Sequence, residues 1–188
     1  MRCFGCGGDF PEIEGPTHPY LLSSAGCWAA YGELLAQEYE DRAYAALHRL
    51  SVDAYAVQHP GIDTPQARNS VGIHLSRLSL ILELGWPIDK ANDAMQIITA
   101  KKIGFPWLSP PASFGPMTVK NVLEVEGPAE HMAAVESWAK SVWQGWAEHH
   151  VTVRGWLREM GRTVSDARTE SGRVNSIQEL PSRKTNMK

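Results

Sequence analysis

No stretch of the chain approaches the run of about 18 apolar residues that a membrane-spanning helix needs. The opening residues also lack the apolar core of a secretion signal. A cytoplasmic protein with no membrane partner is therefore expected. Positive charge is not in excess: 18 Lys and Arg stand against 21 Asp and Glu, for a net charge of −3. Such a balance offers no clustered cationic surface of the kind that sequence-independent nucleic-acid binding requires, so no nucleic-acid partner is expected. Cysteine is scarce and odd in number. Cys3, Cys6 and Cys27 cannot all pair with one another, and a reducing cytosol disfavours disulfides in general. Catalytic signatures are missing as well. The glycines of "GCGGDF" lack the lysine of a phosphate-cradling loop and follow no strand, and neither Gly-x-Ser-x-Gly nor His-Glu-x-x-His occurs.

What is present points to one mainly α-helical domain. At 188 residues the chain is long enough for a single core, and its 43% apolar and 21% charged content is ordinary for a globular protein. Seven glycines and prolines break residues 1–23 into a loop, after which Ser23 or Ser24 caps a helix carrying "CWAAYGELLAQEYED". A second helix covers "YAALHRLSVDAYAVQ" and stops at His59-Pro60-Gly61. "NSVGIHLSRLSLILELG", apolar at Val71, Leu75, Leu78 and Leu82, reads as a third, ending at Gly85. "PIDKANDAMQIITAKKIG" is a fourth, ending at Gly104. Residues 105–117 are too rich in Pro and Gly for a helix, and "TVKNVLEVEG" is either a short strand or the start of a helix. A long helix runs from Pro128 to about Met160 with the stripe Val135, Trp138, Val142, Trp146, Val153 and Trp156. The expected architecture is a bundle of about five helices over residues 1–162, with an irregular, zinc-knuckle-like loop at 1–27. Residues 163–188 form a polar tail or arm that could join copies of the chain.

The cysteines carry the sharpest chemistry. Two thiolates separated by two residues can reach one ion because the turn between them folds back, and glycines after the second let backbone amides approach sulfur. "CFGCGG" has that pattern. His18 and Cys27 are the nearest candidates to complete a tetrahedron. A Cys3, Cys6, His18, Cys27 site would hold a structural zinc and order a loop that buries little apolar surface. The plainer alternatives are a surface dithiol, with Cys27 a small buried hydrophobe, and a redox Cys-x-x-Cys, which normally opens a helix in a thioredoxin-like unit.

The histidines form a weaker pattern. His48, Val52, Tyr55 and His59 share one face of the second helix, His74 faces inward from the third, and His149 falls on the tryptophan stripe. With Asp53 they could hold a second divalent metal or supply a general base, with Tyr55 as donor. Each could equally be a core histidine satisfied by a hydrogen bond. His131 and His150 read as solvent-facing. Trp138, Trp146 and Trp156 read as core filler, whereas Trp107 sits on a proline-stiffened loop that could wall a pocket, dock a partner or plug the bundle.

"CFGCGG", "GPTHPY", "GCWAAYGELLAQEY", "HRLSVDAYAVQHPG", "SVGIHLSRL" and "WAKSVWQGWAEHHVTVRGW" together resemble a family of small bacterial proteins of unknown function, in matching order over most of residues 3–158. The resemblance implies that Cys3, Cys6, His18, Cys27, Asp53, Tyr55, Gln58, His59 and His74 belong to the family pattern, and it brings no activity with it. A fainter likeness is to metal-dependent four-helix-bundle enzymes of the DinB type, which use three bundle histidines. Their final pair is spaced His-x3-His, and here Gly145 and Val153 stand on either side of His149 instead.

Two functional readings follow. In one, a structural zinc pins the N-terminal loop over a pocket lined by His48, Asp53, Tyr55, His59 and His74, which takes a second metal or a small substrate for hydrolysis or group transfer. In the other, the chain is a non-catalytic, zinc-stabilised module that docks a protein partner.

Overall fold

A computed structural model of the chain describes residues 1–100 and 104–161. Residues 101–103 and the tail expected at 163–188 lie outside the described residues, and so does any arm between copies. The architecture is helical, and among the described residues the one piece of β pairing is an isolated bridge between Arg2 and Asp9.

Helix α1 spans Ala25–Glu40, and Ser24 caps it by accepting from the Cys27 amide at 3.2 Å. Its inward stripe is Cys27, Tyr31, Leu34 and Glu38. Helix α2 (His48–Gln58) follows a 3₁₀ turn at Ala45–Leu47 and ends where Pro60 forbids a further helical bond. Helix α3 (Pro65–Leu78) begins with proline in its first turn under a Thr64 cap and runs into a π turn at Ser79–Glu83. Helix α4 spans Ile88–Ala100.

The ambiguous "TVKNVLEVEG" resolves as a short helix, α5 (Val119–Leu123), because the Asn121 side chain accepts the Thr118 amide at 2.9 Å and closes its first turn. The expected long last helix divides in two. Helix α6 (Pro128–Gly145) stops at Trp146, a 3₁₀ turn covers Ala147–His149, and helical residues resume as α7 at 150–161. Gly145 is the weak point, since Ser113 and Phe114 press against its backbone.

Helix α2 is the hub, packing chiefly on α3 and α6. Its buried polar groups are served by the tryptophan stripe. The Trp138 indole donates to the Gln58 side-chain oxygen and the Trp146 indole to the Val57 carbonyl, each at 3.0 Å, while Gln58 donates to the Met117 carbonyl at 2.7 Å. Trp138 and Trp146 are thus core residues, as their spacing predicts, and Trp156 is partly buried beside them. Val57, the last apolar residue of α2, and the fully buried Cys27 of α1 belong to the same core. The C-terminal end of α2 therefore faces the first turn of α1, and residues 1–10 fold into the corner between them.

Candidate metal centre

The N-terminal loop is a tight knuckle. The Cys3 amide donates to the Gly8 carbonyl at 2.8 Å, and the Gly7 amide donates back to the Cys3 carbonyl at 3.1 Å. Gly7 takes the left-handed region (φ +73°), which glycine adopts without penalty. Gly5 is needed for a different reason: a Cβ there would lie 2.3 Å from the Leu22 carbonyl oxygen and 2.5 Å from the His59 ring. Gly5→Ala is expected to weaken metal retention about tenfold in competition with a chelator, because it pushes the knuckle off His59; unchanged retention would mean that the loop yields freely.

This fold brings the Sγ atoms of Cys3, Cys6 and Cys27 and a ring nitrogen of His59 within 4.8 Å of one another. His59 Nε2 lies 3.5 Å from Cys3 Sγ and 3.4 Å from Cys27 Sγ, and the Cys6 and Cys27 sulfurs are 3.9 Å apart. Ligands held roughly 2.0–2.3 Å from a tetrahedral ion sit about 3.3–3.8 Å from each other, so these three separations are close to the edges of such a tetrahedron. Four sites on three elements meet here: the knuckle, the first turn of α1 and the end of α2. The group can hold a metal ion.

Supporting bonds aim the ligands. His59 Nδ1 is 2.8 Å from the Tyr55 carbonyl, which can only accept, so Nδ1 carries the proton and the Nε2 lone pair faces the sulfurs. The Ser24 amide donates to Cys3 Sγ at 3.5 Å, and the Gly8 amide bonds to Cys6. Tyr55 stacks on His59 with ring centres 4.1 Å apart, and Tyr31 stacks on Tyr55 at 3.8 Å.

Electrostatics favour a cation. Hydrogen bonds from Cys27 and then Cys6 hold the Cys3 thiol far below its ordinary value, and the same interaction with Cys3 drives Cys27 far above. For Cys6 the bond to Cys27 is lowering, but Cys3 and burial together push it up to about 12. Crowding makes the sulfurs compete for ionisation, a conflict that a positive ion between them would relieve. Burial likewise drives the Tyr55 hydroxyl, 3.6 Å from Cys27 Sγ, well above its usual value.

His18 is placed elsewhere. It packs on Tyr20 and Trp28, with ring centres 4.3 and 5.3 Å away, and does not belong to the ligand group. Partial burial lowers its affinity for a proton. The fourth position goes to His59, which had been expected in a separate pocket.

The five residues expected to line that pocket divide among three places. Tyr55 and His59 stand at the sulfur cluster. Asp53, fully buried, accepts from His74 Nδ1 at 2.6 Å and from both Nε and Nη2 of Arg77, with Nε at 2.7 Å. His48 Nδ1 lies 2.8 Å from Glu38, whose carboxyl is also bonded by Ser51 and, at 3.2 Å, by His131. His131 is fully buried and not solvent-facing, because α6 lays it against Glu38 and the edge of Tyr44. His150 is half-buried, stacked on Trp143 at 3.9 Å. His149 leaves the core: the break after α6 turns it to donate to the Ser109 carbonyl at 2.8 Å.

Among the described residues no second group of three or more histidines, cysteines or carboxylates brings its ligand atoms all within 4.8 Å of one another. A cavity of about 890 Å³ lies between α4 and α7 against Leu80, Trp86, Ile98 and Leu157, and none of these histidines lines it. No helix of the described residues is long and apolar enough to cross a membrane.

Neither the curated proteins nor the solved structures contain a match to the chain. A family model does match it, over residues 1–147, a span that includes every member of the Cys/His cluster as well as Glu38, Asp53 and His131. The chain belongs to that family, a family of unknown function (DUF5946).

Proposed function

We propose that this protein is a non-catalytic, zinc-stabilised helical module whose N-terminal knuckle is the surface offered to a protein partner. The observation that carries the reading is the tetrahedral grouping of three sulfurs with one imidazole in a largely buried corner. Soft thiolates with a single imidazole suit zinc, and four protein ligands leave no open position for water or substrate. Such an ion organises; it does not react with substrate. The partner surface is argued from Phe4 on the knuckle, 62% exposed, and neighbouring Leu22, 43% exposed.

The test is elemental analysis of the purified chain and its variants. One zinc per chain is expected, retained by His18→Ala and lost in His59→Ala; loss with His18→Ala and retention with His59→Ala would overturn the ligand assignment. The enzyme reading keeps one observation in its favour, since Asp53 holds an imidazole, His74, whose side chain is 18% exposed. Against it, Arg77 already neutralises that carboxylate. A second equivalent of divalent metal, lost in His74→Ala, would favour the enzyme.

A further inference from the structure

The four ligands are not equally sheltered. Cys3 is 3% exposed, and Cys27 and His59 are fully buried. Cys6 is only half-buried and lines a surface cavity of about 340 Å³ whose other walls include Arg2, Gly7, Pro60, Pro111 and Phe114. Small polar molecules therefore have a route to the Cys6 sulfur. Arg2 sits at that wall, its Nε donating to the Gly7 carbonyl at 3.0 Å, which leaves its terminal nitrogens free of that bond for an anion. The Cys27 sulfur is 3.9 Å from that of Cys6 and can serve as the resolving thiol. Reaching a disulfide bond length of about 2.05 Å asks for a shift of roughly 2 Å from a cysteine flanked by glycines.

We infer that this centre reacts with hydroperoxides, with Cys6 as the attacked thiolate and Cys27 as the sulfur that closes a disulfide. The inference rests on the metal-centre reading, because metal coordination is what keeps both sulfurs ionised. In the first step the Cys6 thiolate attacks the peroxide: an S–O bond forms, the O–O bond breaks, and alkoxide (hydroxide, for hydrogen peroxide) leaves beside Arg2 and takes a proton from solvent. Sulfur is oxidised by two electrons to the sulfenic acid and the peroxide oxygen is reduced. The Cys27 thiolate then attacks that sulfur. An S–S bond forms, the S–O bond breaks, and hydroxide leaves and is protonated to water. Two thiolates, one hydroperoxide and two protons give a disulfide, an alcohol and water. A metal ion bound there would then have only Cys3 and His59 to hold it and would be released.

The experiment uses the full chain with its metal content measured beforehand, treated with less than one equivalent of hydrogen peroxide. Released metal is followed with a chromogenic chelator, and the thiols are mapped by alkylation and peptide mass. Loss of the Cys6 and Cys27 thiols together, a peptide cross-link between them, and one ion released per peroxide consumed are expected. Ala112→Trp fills the exposed cavity wall without touching a ligand and should slow release about tenfold. A chain that carries no metal overturns the centre and this inference with it. A loaded chain that oxidises first at Cys3, oxidises all three thiols evenly, or reacts at the same rate with tryptophan at 112 overturns the inference alone.

Discussion

Cys27→Ser should be recovered without its metal ion and should melt about 10 °C below the parent chain, a loss on the order of 3–4 kcal/mol for a chain of this length. The expectation follows from where Cys27 sits. It is the member of the sulfur cluster in the first turn of α1, fully buried, within reach of Cys6, His59 and the Tyr55 hydroxyl. Serine keeps the volume but offers a hydroxyl that neither ionises nor binds a soft ion comparably. The knuckle would then be held by its few backbone bonds and by Phe10. Metal analysis and calorimetry on one preparation check this result. A variant that keeps a full equivalent and melts within about 2 °C of the parent would refute the centre as the source of order for residues 1–24.

Asp53→Ala should cost about 3–5 kcal/mol in denaturant unfolding while leaving the metal content unchanged. Arg77 has a side chain only 5% exposed, and its charge is balanced by a carboxylate that is fully buried. Removing the carboxylate strands the guanidinium in the packed α2–α3 interface and takes the partner from His74 as well. The paired replacement Asp53→Leu with Arg77→Met should recover most of the loss, since a well-packed apolar pair avoids stranding either charge. A loss below about 1 kcal/mol for Asp53→Ala would show that water reaches Arg77.

The two effects also separate the roles of residues that the sequence places close together. Asp53 and His59 are neighbours on α2, six positions apart, yet one secures a helix interface and the other faces the sulfurs. Periodicity puts both on the helix and correctly makes the helix interior, because spacing and burial are local properties. It cannot tell which neighbour each will meet. The three cysteines were legible because Cys-x-x-Cys followed by glycines is itself a half-site, and Cys27 was the one sulfur left. His18 was chosen as the fourth ligand by nearness along the chain. The fold instead brings position 59 to the site by packing α2 on α1, and His18 finds aromatic neighbours. A usable signal existed in "HPG", which ends α2 at an imidazole just as the serine cap starts α1 at a cysteine.

Glu38 was missed for a similar reason. Cys27, Tyr31, Leu34 and Glu38 step by four, three and four along one stripe, and a carboxylate on an apolar stripe needs partners. The partners are His48, Ser51 and His131, the last of them 93 positions away and read from its sequence surroundings as exposed. The split between α6 and α7 was hidden because Gly145 is tolerated inside helical patterns; only the close approach of residues 113 and 114 makes it a boundary.

Cys3 and His59 are 56 positions apart along the chain, yet the Cys3 sulfur and the His59 ring nitrogen stand 3.5 Å from each other. An ion held between them would act as a cross-link closing a long ring of backbone, and the entropy of closing such a ring rises only slowly with its length. The cost of tethering the start of the chain would therefore be modest, and smallest once α1 and α2 have docked. A chain starved of metal would keep its tryptophan-lined helices and release residues 1–24 as a separate cooperative unit, open to proteases while the remainder stays folded.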